Sequence, residues 1–127
     1  MEWIRYNPHP TKRQIGDCVI RALTKALNKS WEEVYLELSI EGYVKCDLPN
    51  ADAVWGKYLL KNGFSRHLIP DDGFGDYTVE DFCKDHPKGT FVLGTGSHAV
   101  CVKSGNLYDA WNSSQEIPIY YFERKDN

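Results

Sequence analysis

The sequence predicts an α+β domain in which helices come first and a sheet comes last. Apolar residues recur at helical spacing from Cys18 to about Cys83, and the period drops to about 2 from Thr90 onward. Gly and Asn pairs punctuate the second half at short intervals, as turns between strands require. With 127 residues there is room for one domain, 1–127, and no second core. Its 42% hydrophobic content and its 4 Trp, 8 Tyr and 5 Phe exclude a disordered chain.

The elements follow in order. Residues 3–16 are polar, carry Pro8 and Pro10, and read as an extended lead-in ending at the turn glycine Gly16. A first helix is predicted from Cys18 to Leu27 with Asp17 as its N-cap; Val19, Ala22, Leu23, Ala26 and Leu27 form its apolar face. Ser30-Trp31-Glu32-Glu33 is a capping box, and Trp31, Val34, Tyr35 and Leu38 mark the buried face of the helix behind it. A third helix begins near Asn50, buries Ala51, Val54, Trp55, Tyr58 and Leu59, and stops at Asn62-Gly63. Phe64–Ile69 is a short strand, Asp71–Asp76 a loop, and Thr78 opens a short fourth helix ended by Pro87. Strands at Thr90–Thr95, His98–Lys103, Asn106–Trp111 and Ile117–Glu123 complete an antiparallel meander.

Composition excludes several functions. Net charge is −3 with Lys and Arg dispersed, so no nucleic-acid footprint is expected. No apolar run reaches the roughly 18 residues of a membrane span, and Met1–Arg5 lacks the apolar core of a signal peptide. The expected setting is cytoplasmic, with Cys18, Cys46, Cys83 and Cys101 reduced. Cys83 and His86 have a metal-like spacing but lack a second close pair, so neither metal nor cofactor is expected.

Cys18 is the residue that carries chemistry. At the head of a helix a thiol meets the positive end of the macrodipole, which favours the thiolate. Lys25, on the exposed side with Arg21, would add a modest positive field. Gly94-Thr95-Gly96-Ser97-His98 mimics a dinucleotide fingerprint, but strand rather than helix follows, so the glycines read as a tight connection that delivers His98. In strand 98–103, His98 shares a face with Val100 and Val102, predicted to pack on the helices, and Cys101 points the other way. A two-residue loop at Ser104-Gly105 sets His98 opposite Trp111 and diagonal to Asp109; a three-residue loop would offer Asn112. Asp109 is the preferred orienting residue. Cys46, Cys83 and Cys101 read as ordinary buried cysteines, and His9, His67 and His86 as surface residues.

Gly16-Asp17-Cys18 followed by helix, then His98, then Asp109-Ala110-Trp111, resembles the papain-like cysteine peptidases. Gly16–Leu23 is also similar to the nucleophile segment of ovarian-tumour-type deubiquitinases, a distant branch of that fold. The resemblance covers about forty residues, and residues 28–90 match nothing specific. It implies a papain-like fold, with Cys18 as nucleophile, His98 as base, Asp109 as orienting residue and Trp111 as a shielding aromatic. The family's oxyanion glutamine stands six residues before the cysteine, where this chain has Lys12; Gln14, four before, is the candidate, and Asn7 is a second amide.

The expected function is therefore cysteine-dependent hydrolysis of a peptide, isopeptide or related amide bond in a peptide or protein substrate, by a monomer. Two alternatives use the same residues. One is an inactive papain-like binding module gripping a partner through Trp3, Tyr43, Phe74 and Tyr77; the other is an acyltransferase or transglutaminase-like use of the triad.

Overall fold

A computed structural model describes residues 1–70 and 75–127. It shows an α+β fold with the order β1 (Trp3–Arg5), α1 (Cys18–Leu27), α2 (Trp31–Lys45), α3 (Asp52–Lys61), β2 (Phe64–Leu68), α4 (Val79–Asp85), β3 (Thr90–Gly94), β4 (Ala99–Lys103), β5 (Asn106–Asp109) and β6 (Tyr120–Arg124). Of the loop expected at Asp71–Asp76, only Gly75 and Asp76 fall within the described residues.

Local sequence explains most helix boundaries. Ser30 accepts from the Glu33 amide while the Glu33 carboxylate accepts from the Ser30 amide, a complete capping box. Thr78 and Asp81 repeat that reciprocal pair at the start of α4. At the other ends the chain turns left-handed at Asn28 after α1 and at Gly63 beyond α3. The apolar face of α2 is narrower than its spacing predicts: Val34 and Leu38 are buried, whereas Tyr35 is exposed and stacks on Trp31 at 5.0 Å.

The sheet is mixed, in the order β1-β5-β4-β3-β6-β2. This corrects the simple antiparallel meander. Only β3, β4 and β5 form one; β1, from the lead-in read as extended coil, pairs in parallel with β5 and occupies its outer edge. With that edge taken, β6 crosses back to pair with β3, and β2 pairs with β6 at the far side.

Helices cover both faces of the sheet. Leu23, Ala26, Leu38, Trp55 and Leu59 from α1 to α3 pack on Val92, Cys101 and Phe122. Across the sheet, Val79, Phe82 and Cys83 of α4 pack on Phe91, Leu93, Val100, Val102 and Leu107. Each fully buried leucine in these layers would cost about 2–5 kcal/mol on truncation to alanine. The strand face of Val100 and Val102 therefore meets α4, while Ala99 and Cys101 meet α1. His98 lies one residue before β4, outside the strand's alternation, and its ring reaches the α1 side.

One glycine fixes the floor beside it. A Cβ at Gly94 would lie 2.3 Å from Cζ of Tyr120, so only glycine lets that ring lie across β3. Tyr120 is thereby held where α1, α3 and the 95–98 turn meet.

Candidate active site

Cys18 is the first residue of α1 and is half-buried at the border of the core. Asp17 occupies the N-cap position but does not cap: its carboxylate accepts from Arg21 Nη1 at 2.7 Å and from the Trp31 indole at 2.9 Å. The first amides of α1 are thus left without a side-chain cap, beside the thiol. This corrects the expected role of Asp17, whose side chain is diverted by the buried guanidinium one turn along.

His98 Nε2 donates to Asp109 Oδ2 at 2.7 Å. The hairpin brings the two groups together: its ladder pairs Lys103↔Asn106, Val102↔Leu107 and Cys101↔Tyr108, and beyond it His98, just before β4, reaches Asp109, the last residue of β5. Asn112, the partner a longer loop would have offered, instead accepts from the Ser114 amide. The Trp111 ring lies 4.9 Å from the His98 ring, tilted by 36°. With Nε2 engaged, Nδ1 is the ring nitrogen left for the thiol.

Asp109 is held from several sides. Its Oδ1 accepts from Arg21 Nε at 3.1 Å, Arg21 Nη2 at 2.9 Å and the Ala110 amide at 2.7 Å. Its Oδ2 also accepts from Ser113 Oγ at 2.6 Å. Arg21, expected to be solvated, is instead buried and bridges Asp17 to Asp109. The pairing of two acids with one fork-shaped guanidinium compensates its burial. Sequence reading missed Arg21 and Ser113. The Asp17–Arg21 spacing of four, which puts the two on one helix face, was the available signal for the first. Ser113 sits in a turn of ordinary composition and gave none.

The protonation states follow from these contacts. Burial opposes ionisation of Cys18, but His98, the Ala99 backbone and the charges of His98 and Arg21 outweigh it and draw the thiol below its ordinary range. Burial likewise disfavours the His98 cation, yet the hydrogen bond to Asp109 and the negative charges of Asp109 and the neighbouring Cys18 thiolate push it up to about 9. Asp109, opposed by burial, is held below the usual carboxylate range by His98, Ser113 and Arg21. These directions favour a thiolate–imidazolium pair oriented by a carboxylate. The added positive field comes from Arg21 rather than Lys25, whose Nζ lies 4.3 Å over the Tyr108 ring.

Cys18 and His98 open onto a cavity of about 190 Å³. Asn50, Asp52, Trp55 and Tyr120 supply its other walls. Gln14 is not brought there. Asn7 donates to the carbonyls of Lys12 and Arg13 at 3.1 and 3.2 Å, and that tether leaves Gln14 exposed. Asn7 is committed to the same turn, so the amide that lines the cavity is Asn50, which sequence spacing did not single out.

The other cysteines and histidines divide differently from expectation. Cys83 and Cys101 are buried, and burial pushes their thiols up to about 11 and about 12. Cys46 is exposed, because it forms the left-handed C-cap of α2 rather than part of its apolar face. His9 is buried against Trp31 and accepts the Thr11 amide at Nδ1, while His86 stacks on Phe82 at 3.9 Å. Of the aromatics named for a binding module, Tyr43 is exposed; Trp3 donates to the Asp109 carbonyl and Tyr77 to Asp85. Phe74 lies outside the described residues.

No group of three or more potential ligands capable of holding a metal ion occurs among the described residues. No helix among them is long and apolar enough to cross a membrane. Comparison with protein-family models, with curated proteins and with solved structures finds no match to this chain.

Proposed function

We propose that this chain is a cysteine-dependent hydrolase of a peptide, isopeptide or related amide bond, built on a papain-like arrangement and acting as a monomer on a peptide or protein. The observation that carries the reading is the 2.7 Å His98–Asp109 hydrogen bond beside a thiol at an uncapped helix start. The support comes from their combination: Cys18 and His98 share one small cavity, and Asp109 holds the ring from behind.

The reaction uses the chain's own groups. The Cys18 thiolate attacks the carbonyl carbon, a C–S bond forms, and the carbonyl π electrons move to oxygen. The Cys18 amide and the uncapped first turn of α1 stabilise that oxyanion, with Asn50 as the side-chain donor in place of Gln14. The electron pair on oxygen re-forms the carbonyl, the C–N bond breaks, and His98 gives its Nδ1 proton to the leaving amine. Water then adds to the thioester as His98 takes its proton. Collapse breaks the C–S bond, releases the acid and restores the ion pair. Asp109 holds the Nε2–H tautomer throughout.

A peptide-based electrophilic probe that alkylates thiolates tests the reading. It should label Cys18 selectively, and Cys18→Ala should abolish both labelling and amide hydrolysis while leaving the fold intact. Labelling spread equally over Cys18 and exposed Cys46 would reject it.

A further inference from the structure

A second, larger groove of about 550 Å³ shares two walls, Asp52 and Tyr120, with the cavity of Cys18. Its apolar lining is formed by buried Gly56 and Phe122 and by the exposed side chain of Leu60. Its rim is basic: Lys45, Lys57, Lys61 and Arg66 line it against the single acid Asp52. Lys61 pairs with Glu41, whereas Lys45, Lys57 and Arg66 have no ion-pair partner among the described residues. Four cations around one groove stand out on a chain whose net charge is −3.

We infer that this groove binds an acidic stretch of the polypeptide substrate, with apolar side chains against its apolar lining and carboxylates on its rim, and feeds the neighbouring bond to Cys18. The inference rests on the hydrolase reading for the step at Cys18, but the groove's charge is independent of it. An extended chain fits because it alternates its side chains, sending one set to the apolar lining and the other to the rim. Asp52 stands at the junction and accepts from the Trp55 indole at 3.1 Å, so its charge repels a carboxylate next to the scissile bond. The acids are therefore set apart from that bond by at least one uncharged residue. The rim cations are exposed, so they select by charge and steer encounter more than they anchor.

The test uses the full chain carrying Cys18→Ala and a short fluorescein-labelled peptide rich in glutamate and leucine. Its glutamine twin and an oligothymidylate of similar length are the comparators. The glutamate peptide should bind about tenfold more tightly than the twin at low ionic strength, since two or three exposed pairs supply about that much. The gap should close in high salt and in the double variant Lys57→Glu/Arg66→Glu, with Lys45→Glu/Lys57→Glu as a second pair that leaves the Arg66–Tyr120 contact alone. Equal binding of the two peptides, a gap that survives both charge reversals, or tighter binding of the oligothymidylate would each overturn the inference. Cleavage by the unmodified chain separates the two ideas. Hydrolysis without preference for the glutamate peptide leaves the hydrolase and removes the groove, whereas charge-selective binding without hydrolysis does the reverse.

Discussion

Arg21 grips Asp109 through Nε and Nη2 at 3.1 and 2.9 Å on Oδ1, while His98 holds Oδ2 at 2.7 Å. Helix α1 is thereby tied to the end of β5 that holds the histidine. Because Nη1 also binds Asp17, one residue before Cys18, the guanidinium sets the spacing between thiol and carboxylate. Arg21→Met should leave buried Asp17 without a charged partner and Asp109 with His98 alone, and cost about 3–5 kcal/mol of stability. Urea denaturation measures the loss, and an unchanged midpoint would show that the bridge carries little.

Asp109→Asn separates charge from shape. The amide oxygen can still accept from His98 and Ser113, but its NH₂ then faces the Arg21 guanidinium and the Ala110 amide, all donors, so the variant should lose about 1–3 kcal/mol. Without the carboxylate the His98 pKa should fall from about 9 toward its ordinary 6.5, which a proton NMR titration of the ring reads directly.

Stability should depend on pH with a definite sign. The His98 pKa is raised from 6.5 to about 9 on folding, so its stabilisation is complete below about 6.5 and is lost as pH rises through 9. Asp109 is depressed from 3.8, so its contribution is present above that value and is lost as pH falls through its lower folded pKa. From these two groups, stability should be flat between about 4 and 6.5. Cys18 works the other way, because its thiol is depressed from 9.0 on folding, so its contribution grows as pH rises toward 9.0 and offsets the His98 loss. Chemical denaturation at stepped pH should therefore show the alkaline decline between 6.5 and 9 in Cys18→Ala, where that offset is gone, and a smaller one in the double variant Cys18→Ala/His98→Ala.

Gly94→Ala drives a methyl against the Tyr120 ring. The expected cost is about 1–3 kcal/mol, as for other overpacked sites, and the displaced ring should raise KM by disturbing the wall shared by cavity and groove. Steady-state kinetics and thermal unfolding on the same variant check both.

Gln14→Ala should leave kcat within about twofold, and Asn50→Ala should lower it by about 10²-fold, the usual loss on removing one oxyanion donor. The opposite pattern would return that role to Gln14.

Much of this architecture was legible in the sequence because it is local. The α1 boundaries coincide with those read from the helical period and the turn at Gly16. The Ser30 and Thr78 caps were visible as short motifs, and the Ser104-Gly105 turn set the β4–β5 register that brings His98 near Asp109, although His98 itself stands just outside β4 and its ring turns to the α1 side. What was missed depends on contacts remote in sequence. β1 exists because β5 offers it an edge, and residues 3–5 carry too short a pattern to announce a strand. Arg21 read as solvated because its acids become neighbours only once the sheet end meets α1. Gln14 read as a site residue from its distance to Cys18 along the chain, but the Asn7 tether turns that stretch outward.

The most direct test of the central claim is the pH dependence of Cys18 alkylation by iodoacetamide, resolved from Cys46 by peptide mapping, in the unmodified chain and in His98→Ala. The account predicts that Cys18 reacts as a thiolate below the ordinary thiol value of 9.0, that His98→Ala moves its profile upward, and that Cys83 and Cys101 stay unreactive. A Cys18 profile that coincides with a free model thiol and does not move in His98→Ala would contradict it.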